Sequence, residues 1–505
     1  MKLFQAPLYE ALKQHLGFNP TSFHVPGHQY GRAISNYNEE IRADFAAIMK
    51  LDVTELSVTD DLHHPTGPIM ESQRLAAETF GAEATHLLTG GSTAGNLALV
   101  LAHVNPGEVI IVQRNVHKSI LNGLMLAGAS AVFVPPMFDQ RSGLATVPSL
   151  PILAAALESY PEAKGVFLST PNYYGMANQL HEYAALVHQY NLPLLVDEAH
   201  GAHYAFHGQF PDTALSAGAD GVVQSIHKTM PALTMGAMLH LQGTRINRKA
   251  VSKALAAIQS SSPSYPIMAS LDIARAIAAR EGEQLYNDAI KLANWFRTQL
   301  KEQVPRFKMI DMQMMAGNGA YTALDPLRLT LWDSSGRLSG YSMQKALEQY
   351  GCWAEMADSR HVLLLFGLSS SLSDVQKLVT ACIAIASESS SYHYNSAGDD
   401  ISSTVQNADL LQHQQFAEAA YISEPVNFQM LRLAEGEAES VLISECTGRI
   451  SAEMIVPYPP GIPVLYPGER ITVAMVKMLQ QLARDGAKFQ GASDPAMTYI
   501  EVQRR

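Results

Sequence analysis

Between about residues 71 and 245, short apolar runs alternate with segments of helical character. The runs are THLLTG, EVIIVQ, SAVFVPP, GVFLST, LPLLVDEAH and GVVQSIH, and STAGNLALVLAHV and LHEYAALVHQY lie among the segments that separate them. Short runs rich in β-branched residues and apolar throughout suit strands buried on both faces. Helices between successive strands supply the crossovers that parallel pairing requires. The alternation therefore predicts an α/β fold, a mostly parallel sheet flanked by helices.

The remaining chain must form further units. With 505 residues, it exceeds the size at which one core keeps growing, and 47% hydrophobic content supplies material for several. Residues 1–70 read as an irregular N-terminal arm, rich in His, Pro and Gly in SFHVPGHQYGR and TDDLHHPTGP, after a short amphipathic helix in MKLFQAPLYEALKQHLG. Residues 71–305 form the large domain with the long helices that follow it, and 306–388 a smaller α+β domain. The Ser-rich stretch SESSSYHYNSAGDDISSTVQN marks a linker over 389–411, and 412–505 a C-terminal domain carrying YPPGIPVLYPGERIT.

A formal charge of -12 argues against nucleic acid or an anionic membrane as partner, since both call for a basic face. The three cysteines, Cys352, Cys382 and Cys446, are far apart and form no CxxC pair. That speaks against a disulfide framework or a structural metal site and for a reducing, cytoplasmic setting. No stretch has the unbroken apolar core of a signal peptide or the length of a membrane span.

Four motifs fall where an apolar run ends or a helix begins, the edge at which open parallel sheets gather ligands. Gly90-Gly91-Ser92-Thr93 follows THLL and opens a helix. Small residues there leave backbone N–H groups open to an anion, and the two hydroxyls add donors. A plain turn capped by Ser or Thr has the same sequence. Asp197 closes LPLLVD, where a carboxylate needs a cation or a donor to offset burial. A protonated pyridine nitrogen would serve, and so would a turn that the aspartate caps.

Lys228 is the third and the oddest, an amine at the end of GVVQSIH with apolar residues behind it. Lysine is seldom buried. Held in apolar surroundings it loses basicity and becomes a nucleophile toward an aldehyde; an isolated lysine would instead snorkel to the surface. Ser225 and His227 beside it are possible phosphate donors. His117 in RNVHKSI is the fourth, an imidazole that can stack on an aromatic ring or cap a helix, with Lys118 on the helix surface. Phosphate donors, a carboxylate for a ring nitrogen, a stacking ring and an amine for an aldehyde together describe pyridoxal 5'-phosphate.

With these residues in place, the sequence resembles the pyridoxal-phosphate-dependent ornithine/lysine/arginine decarboxylases of the aspartate-aminotransferase fold, in the shorter bacterial branch without an N-terminal receiver-like domain. The resemblance spans nearly the whole chain and rests on FHVPGHQYG, DDLHHPTGPI, RNVHKSI, VDEAHGAH, SIHK and PYPPGIPVLYPGE. It implies Lys228 as the Schiff-base lysine, Asp197 on the pyridine nitrogen, His117 stacked on the ring, and Ala199 and His200 near the opposite face. Ser92, Thr93, Ser225 and His227 would surround the phosphate. The segment QSSSPSYPIMASLD, with Ser261, resembles one that reaches toward a neighbouring subunit, which implies a homodimer with shared active sites, open to higher assembly. Relatives often carry a Gly/Ser-rich stretch after the lysine, whereas this chain has TMPALTMG.

The activity implied is α-decarboxylation of a basic amino acid, arginine or lysine before ornithine, giving carbon dioxide and a di- or polyamine precursor. Two other readings stand beside it. An aminotransferase or other lyase of the same fold would clamp the substrate carboxylate with an arginine, for which Arg360 is the candidate. An inactive homologue would bind the cofactor and regulate. Asp60, Asp61 and Glu469 are acidic candidates for the substrate's distal cation, and they do not discriminate among the three amino acids.

Overall fold

The computed structural model describes residues 2–34, 38–311, 319–388, 422–428, 437–458, 462–484 and 486–504; the expected linker, 389–411, lies outside them. The chain divides into two compact units.

The first unit comprises Met1–Val104, Leu180–Gly208 and Asp212–Leu285. Its strands β1 (Ala84–Leu88), β6 (Leu194–Asp197), β7 (Gly221–Gln224) and β8 (Ala237–Leu241) lie in the order β1-β8-β7-β6. β6 and β7 are parallel, with Asp197 opposite Val223. β8 runs antiparallel to both β7 and β1. Every residue of β6, β7 and β8 is buried, which explains their unbroken apolar runs. β8 carries a weak strand signal because its run, AMLHL, holds no β-branched residue.

Helix α4 (Gly91–His103) lies directly on these strands. Gly95 permits the approach: a Cβ there would stand 2.8 Å from Leu88 Cδ1 and 2.9 Å from Val223 Cγ1. Helix α9 (Arg248–Ile258) packs along α4. The unit also holds α7 (His181–Gln189), the single turn α8 (Ile226–Thr229) and the start of α10 (Tyr265–Gln303).

Residues 1–70, expected to be largely irregular, contain two helices. α1 (Pro7–Gly17) starts on a proline and buries Leu8 and Leu12 beside α3 (Pro68–Phe80). α2 (Glu39–Leu51) was hidden by the His/Pro/Gly-rich motifs on either side, yet Asn38 caps it by accepting from Glu40 N at 2.8 Å. No residue of α2 is buried. Phe18, Phe23 and Phe45 are exposed as well, Phe23 by 95%. The first residues are pinned by a fully buried ion pair. Asp272 binds Arg275 at 2.7 Å and accepts from Leu8 N, while Arg275 donates to the carbonyl oxygens of Leu3 and Gln5.

The second unit comprises Asn105–Gln179, Gln209–Pro211 and Tyr286–Arg505. Strands β2 (Val109–Gln113), β3 (Ser130–Val134) and β4 (Val166–Ser169) are parallel in the order β4-β2-β3, and β14 (Val426–Asn427) adds to β3 antiparallel. Helices α5 (Lys118–Ala127) and α6 (Leu150–Ser159) connect them. β5 (Met176–Ala177) pairs with β10 (Ala323–Leu324). A four-stranded antiparallel sheet follows in the order β12-β13-β11-β9, from β9 (Phe307–Met309), β11 (Arg328–Asp333), β12 (Met356–Ala357) and β13 (Val362–Leu365). Helices α11 (Gly340–Gln349) and α12 (Leu372–Glu388) accompany it.

At the C-terminal end, β15 (Ala438–Leu442) pairs with β18 (Tyr499–Gln503), and β16 (Val456–Tyr458) with β17 (Lys488–Gln490). With helix α13 (Val473–Arg484) they enclose a separate core that includes Cys446, Leu465, Leu479 and Ile500. All three cysteines are unpaired.

Candidate active site

The C-terminal ends of β6 and β7 and the N-terminus of α4 bring most of the expected residues into the first unit. Asp197, the last residue of β6, is 4% exposed. Its two oxygens are held separately: Asn96 Nδ2 donates to Oδ2 at 2.8 Å, and the Ala199 backbone N–H to Oδ1 at 3.1 Å. Asn96 is fully buried on α4. Sequence reasoning passed over it, although one amide inside STAGNLALVLAHV was the available signal.

Lys228 does not end a strand, as the run GVVQSIH suggested. β7 stops at Gln224, and Ile226–Thr229 form one helical turn that lifts Lys228 off the sheet. The turn is fixed by His227 N donating to Gly236 O at 3.1 Å and Lys228 N to Ser225 O. Lys228 is half-buried, and its Nζ lies 3.2 Å from Nε2 of buried His200. Burial, then the neighbouring charge of Lys228, lowers the pKa of His227, so that imidazole is neutral at physiological pH.

The anion-binding features are also in this unit. α4 opens at Gly90 with no side-chain cap, and Gly91 has φ +75°, a value that favours glycine. Ser92 is half-buried and Thr93 exposed in the first turn of α4. Ser225 Oγ is buried without a hydrogen-bond partner at the head of α8. A buried hydroxyl in that state calls for an acceptor. Ala199 is buried. Ser261 is exposed in the bend before α10, and Thr89 N donates to Gln259 Oε1 at 2.9 Å just ahead of that bend.

His117 belongs to the second unit, where it caps α5; its Nδ1 accepts from Ser119 N at 3.2 Å. Lys118 donates to Gln490 Oε1 at 2.6 Å. Arg360 lies in the turn between β12 and β13, with its guanidinium 5.4 Å from the Trp332 ring. That turn is organised by Asp358, which accepts from Tyr174 OH at 2.5 Å and from His361 N at 2.6 Å. Arg360, Tyr173, Phe133, Arg114 and Glu469 help to line a cavity of about 390 Å³ in this unit.

The acidic candidates are already engaged. Asp60 accepts from the backbone N–H groups of Thr66, Gly67 and Ile69, closing the turn into α3. Burial pushes its carboxyl up, but the backbone donors outweigh that and hold it low. Asp61 accepts from His63 N at 2.7 Å. Glu469 is bound by Arg114 at 2.6 Å, and burial still raises its pKa on balance. Among the described residues, no group of three His, Cys, Asp or Glu side chains is placed to hold a metal ion.

An amine, a clamped carboxylate and an uncapped helix end lie in one unit of an α/β fold, and comparison with known proteins makes the class particular. Residues 6–374 match the family model of the Orn/Lys/Arg decarboxylase major domain, and 410–495 match that of the C-terminal domain. The chain is 38% identical over 507 residues to the protein YaaO of Bacillus subtilis (strain 168), covering 99% of both. It is 33% identical over 504 residues to the arginine decarboxylase of the same organism, covering 99% of this chain and 98% of the relative. Among solved structures, the constitutive lysine decarboxylase of Escherichia coli matches in fold with a TM-score of 0.79 at 22% identity, over 99% of this chain and 82% of that one. The chain belongs to the Orn/Lys/Arg decarboxylase family.

Proposed function

We propose that this decarboxylase acts on a basic amino acid, arginine ahead of lysine, with pyridoxal 5'-phosphate attached to Lys228. The carrying observation is a buried Asp197 whose two oxygens are separately fixed, in the same unit as a half-buried Lys228 whose Nζ lies 3.2 Å from His200 Nε2. Arginine is placed first because the full-length relative that carries that activity in its name is 33% identical, whereas a relative named for lysine is 25% identical.

The residues present fit the cofactor. The orphaned Ser225 hydroxyl and the bare N-terminus of α4 with Ser92 and Thr93 suit a phosphate, with His227 beside them. Asp197 suits a protonated ring nitrogen. Family resemblance assigns Ala199, His200 and His117 to the ring, and Ser261 to the neighbour's phosphate side. When bound, pyridoxal phosphate supplies the electron sink that lets the α-carboxylate leave as carbon dioxide.

The chain supplies the setting for that chemistry. Lys228 Nζ would be the attachment point, and as a free amine it lies 3.2 Å from His200 Nε2, so a proton can pass between the two nitrogens. Asn96 and the Ala199 N–H keep the Asp197 carboxylate from rotating, so its charge costs no reorganisation during turnover. Burial of Asp197, Ala199 and His200 keeps water from this part of the site.

We further propose a homodimer that completes each pocket with the partner's N-terminal motifs and the 259–265 loop. Support comes from α2, which buries none of its residues, and from the exposed Phe18, Phe23 and Phe45. The free thiols Cys352, Cys382 and Cys446 fit a cytoplasmic setting. Incubation of the purified protein with arginine, lysine and ornithine separately, measuring carbon dioxide and the amine formed, tests the assignment. Fastest turnover of arginine supports it. Turnover of lysine or ornithine alone overturns the substrate, and transfer of the amino group without carbon dioxide overturns the reaction.

A further inference from the structure

Glu198, the residue after Asp197, is 2% exposed and heads a line of side chains that crosses the first unit. Ala214 N donates to its Oε1 at 2.7 Å, and its Oε2 lies 2.6 Å from the amide of Gln224 on β7. The other end of that amide is 3.1 Å from Nε2 of His240 on β8. Nδ1 of His240 is 2.8 Å from the Thr85 hydroxyl on β1. Gln224 and His240 have no exposed surface. The chain thus runs from the residue after β6 across β7 and β8 to β1, four neighbouring strands, by direct side-chain contacts.

With His240 neutral, its donors and acceptors balance in two proton orders. In one, an ionised Glu198 accepts from the Gln224 nitrogen, the Gln224 oxygen accepts Nε2–H of His240, and Nδ1 accepts the Thr85 proton. In the other, Glu198 carries the proton and donates it to the Gln224 oxygen. The amide nitrogen, turned toward His240, then donates to Nε2, and Nδ1–H donates to Thr85. The two differ in one proton, the tautomer of His240 and the sense of one amide.

We infer that the second order holds in the working enzyme, with Glu198 a neutral carboxylic acid and positioning residue that leaves Asp197 the single negative charge at the end of β6. Burial favours it: a carboxyl group that is 2% exposed and adjoins a second buried carboxylate is more stable without its charge. Electrostatics point the same way. Asp197 bears directly on Glu198, His240 of β8 lies beyond Gln224 with His86 of β1 next to it, and the Tyr204 ring lies beside Glu198 at Gly201. Burial pushes His240 down to about 3 and His86 to about 4, so neither brings a positive charge. Burial pushes the Glu198 carboxyl up to about 8, the bonds from Gln224 and Ala214 opposing this and Asp197 reinforcing it.

An ionised Glu198 would place a second carboxylate charge beside the one proposed to hold the ring nitrogen. The functional meaning of the inference therefore rests on the reading of Asp197, but the proton order does not. Infrared difference spectra of the holoenzyme, wild type against Glu198→Gln, test the order directly. The expected result at pH 7 is a protonated carboxylic acid carbonyl band that the variant lacks and that fades as pH rises through about 8. Labelling the wild type with ¹³C-glutamate should shift the same band, so the test survives a variant that fails to fold. A second readout is the visible absorbance of the bound cofactor. It should be the same in both proteins at pH 7, with an alkaline step in the wild type that Glu198→Gln has lost. Carboxylate bands alone at pH 7, or variant and wild-type spectra that already differ there, would overturn the inference. An active Asp197→Asn enzyme with the acid band present would instead sink the reading of Asp197 and leave the proton order standing.

Discussion

Replacing Asp197 by asparagine separates the charge of the β6 carboxylate from its shape. The Ala199 N–H can still donate to the new side-chain oxygen, since that position is unchanged. The new nitrogen then faces Asn96, whose amide must turn to accept from it. Two hydrogen bonds to a charged group, at about 1.5–3 kcal/mol each, become neutral ones at about 0.5–1.5 kcal/mol. Relief of a buried charge offsets part of that loss, so the fold should lose no more than about 2 kcal/mol. Turnover should suffer more. A preorganised charge aimed at the reacting system is worth about 3–4 kcal/mol, or a rate factor of about 100–1,000. The assay pairs carbon dioxide release with cofactor absorbance and thermal unfolding of the same preparation. Slow turnover with cofactor bound and unfolding little changed is the expected result. Turnover within about threefold of wild type would refute the electrostatic role, and a collapse of stability would make Asp197 a structural cap.

Borohydride reduction followed by peptide mapping should place a pyridoxyl group on Lys228; a label on Lys118 or Lys164 would sink the attachment site. Mixing Lys228→Ala with a Ser261/Ser262 or His28 variant that is inactive alone should restore up to about a quarter of wild-type activity if subunits exchange and share pockets. No recovery despite demonstrated exchange would mean that each chain builds its own site. Gly340→Ala should destabilise the second unit by about 3 kcal/mol, because a Cβ there would overlap the carbonyl oxygens of Asp358 and His361, which are backbone atoms with no room to yield; unchanged thermal unfolding would contradict that packing. For Glu198 the folded pKa, about 8, lies above the unfolded value of 4.5. Its contribution to stability is therefore full below about pH 4.5 and is lost as pH rises through about 8, by a few kcal/mol. The melting temperature of the wild type should accordingly fall relative to Glu198→Gln between pH 5 and pH 8.5, and parallel pH profiles would refute the shift.

What the sequence made legible was local chemistry. Asp197, Lys228, Ser225 and the Gly90-Gly91 turn were recognisable because each interrupts an apolar run at a strand or helix end, and the structure gathers them in one unit. The clamp on Asp197 was not legible, since Asn96 lies 101 positions away and only the packing of α4 on the strands makes them neighbours. The Glu198 chain is hidden for the same reason: its links span 16, 26 and 155 positions. Apolar runs announce strands but not their neighbours, so nothing in AMLHL shows that β8 lies antiparallel between β1 and β7. The helical turn at Lys228 escaped notice because SIHK has no apolar period long enough to distinguish a turn from an extended strand.

The buried Arg275 spends its guanidinium on the carbonyl oxygens of Leu3 and Gln5. Carbonyls are common to every amino acid, so this grip recognises the path of the chain and is blind to its side chains. Residues 3 and 5 are therefore free to drift in evolution while Arg275 and Asp272 are not. A lysine at 275 would keep the charge but lose the planar fork that reaches two carbonyls and a carboxylate at once. Saturation mutagenesis of the segment should leave a lopsided record, with broad tolerance at the gripped end and almost none at the hand that holds it.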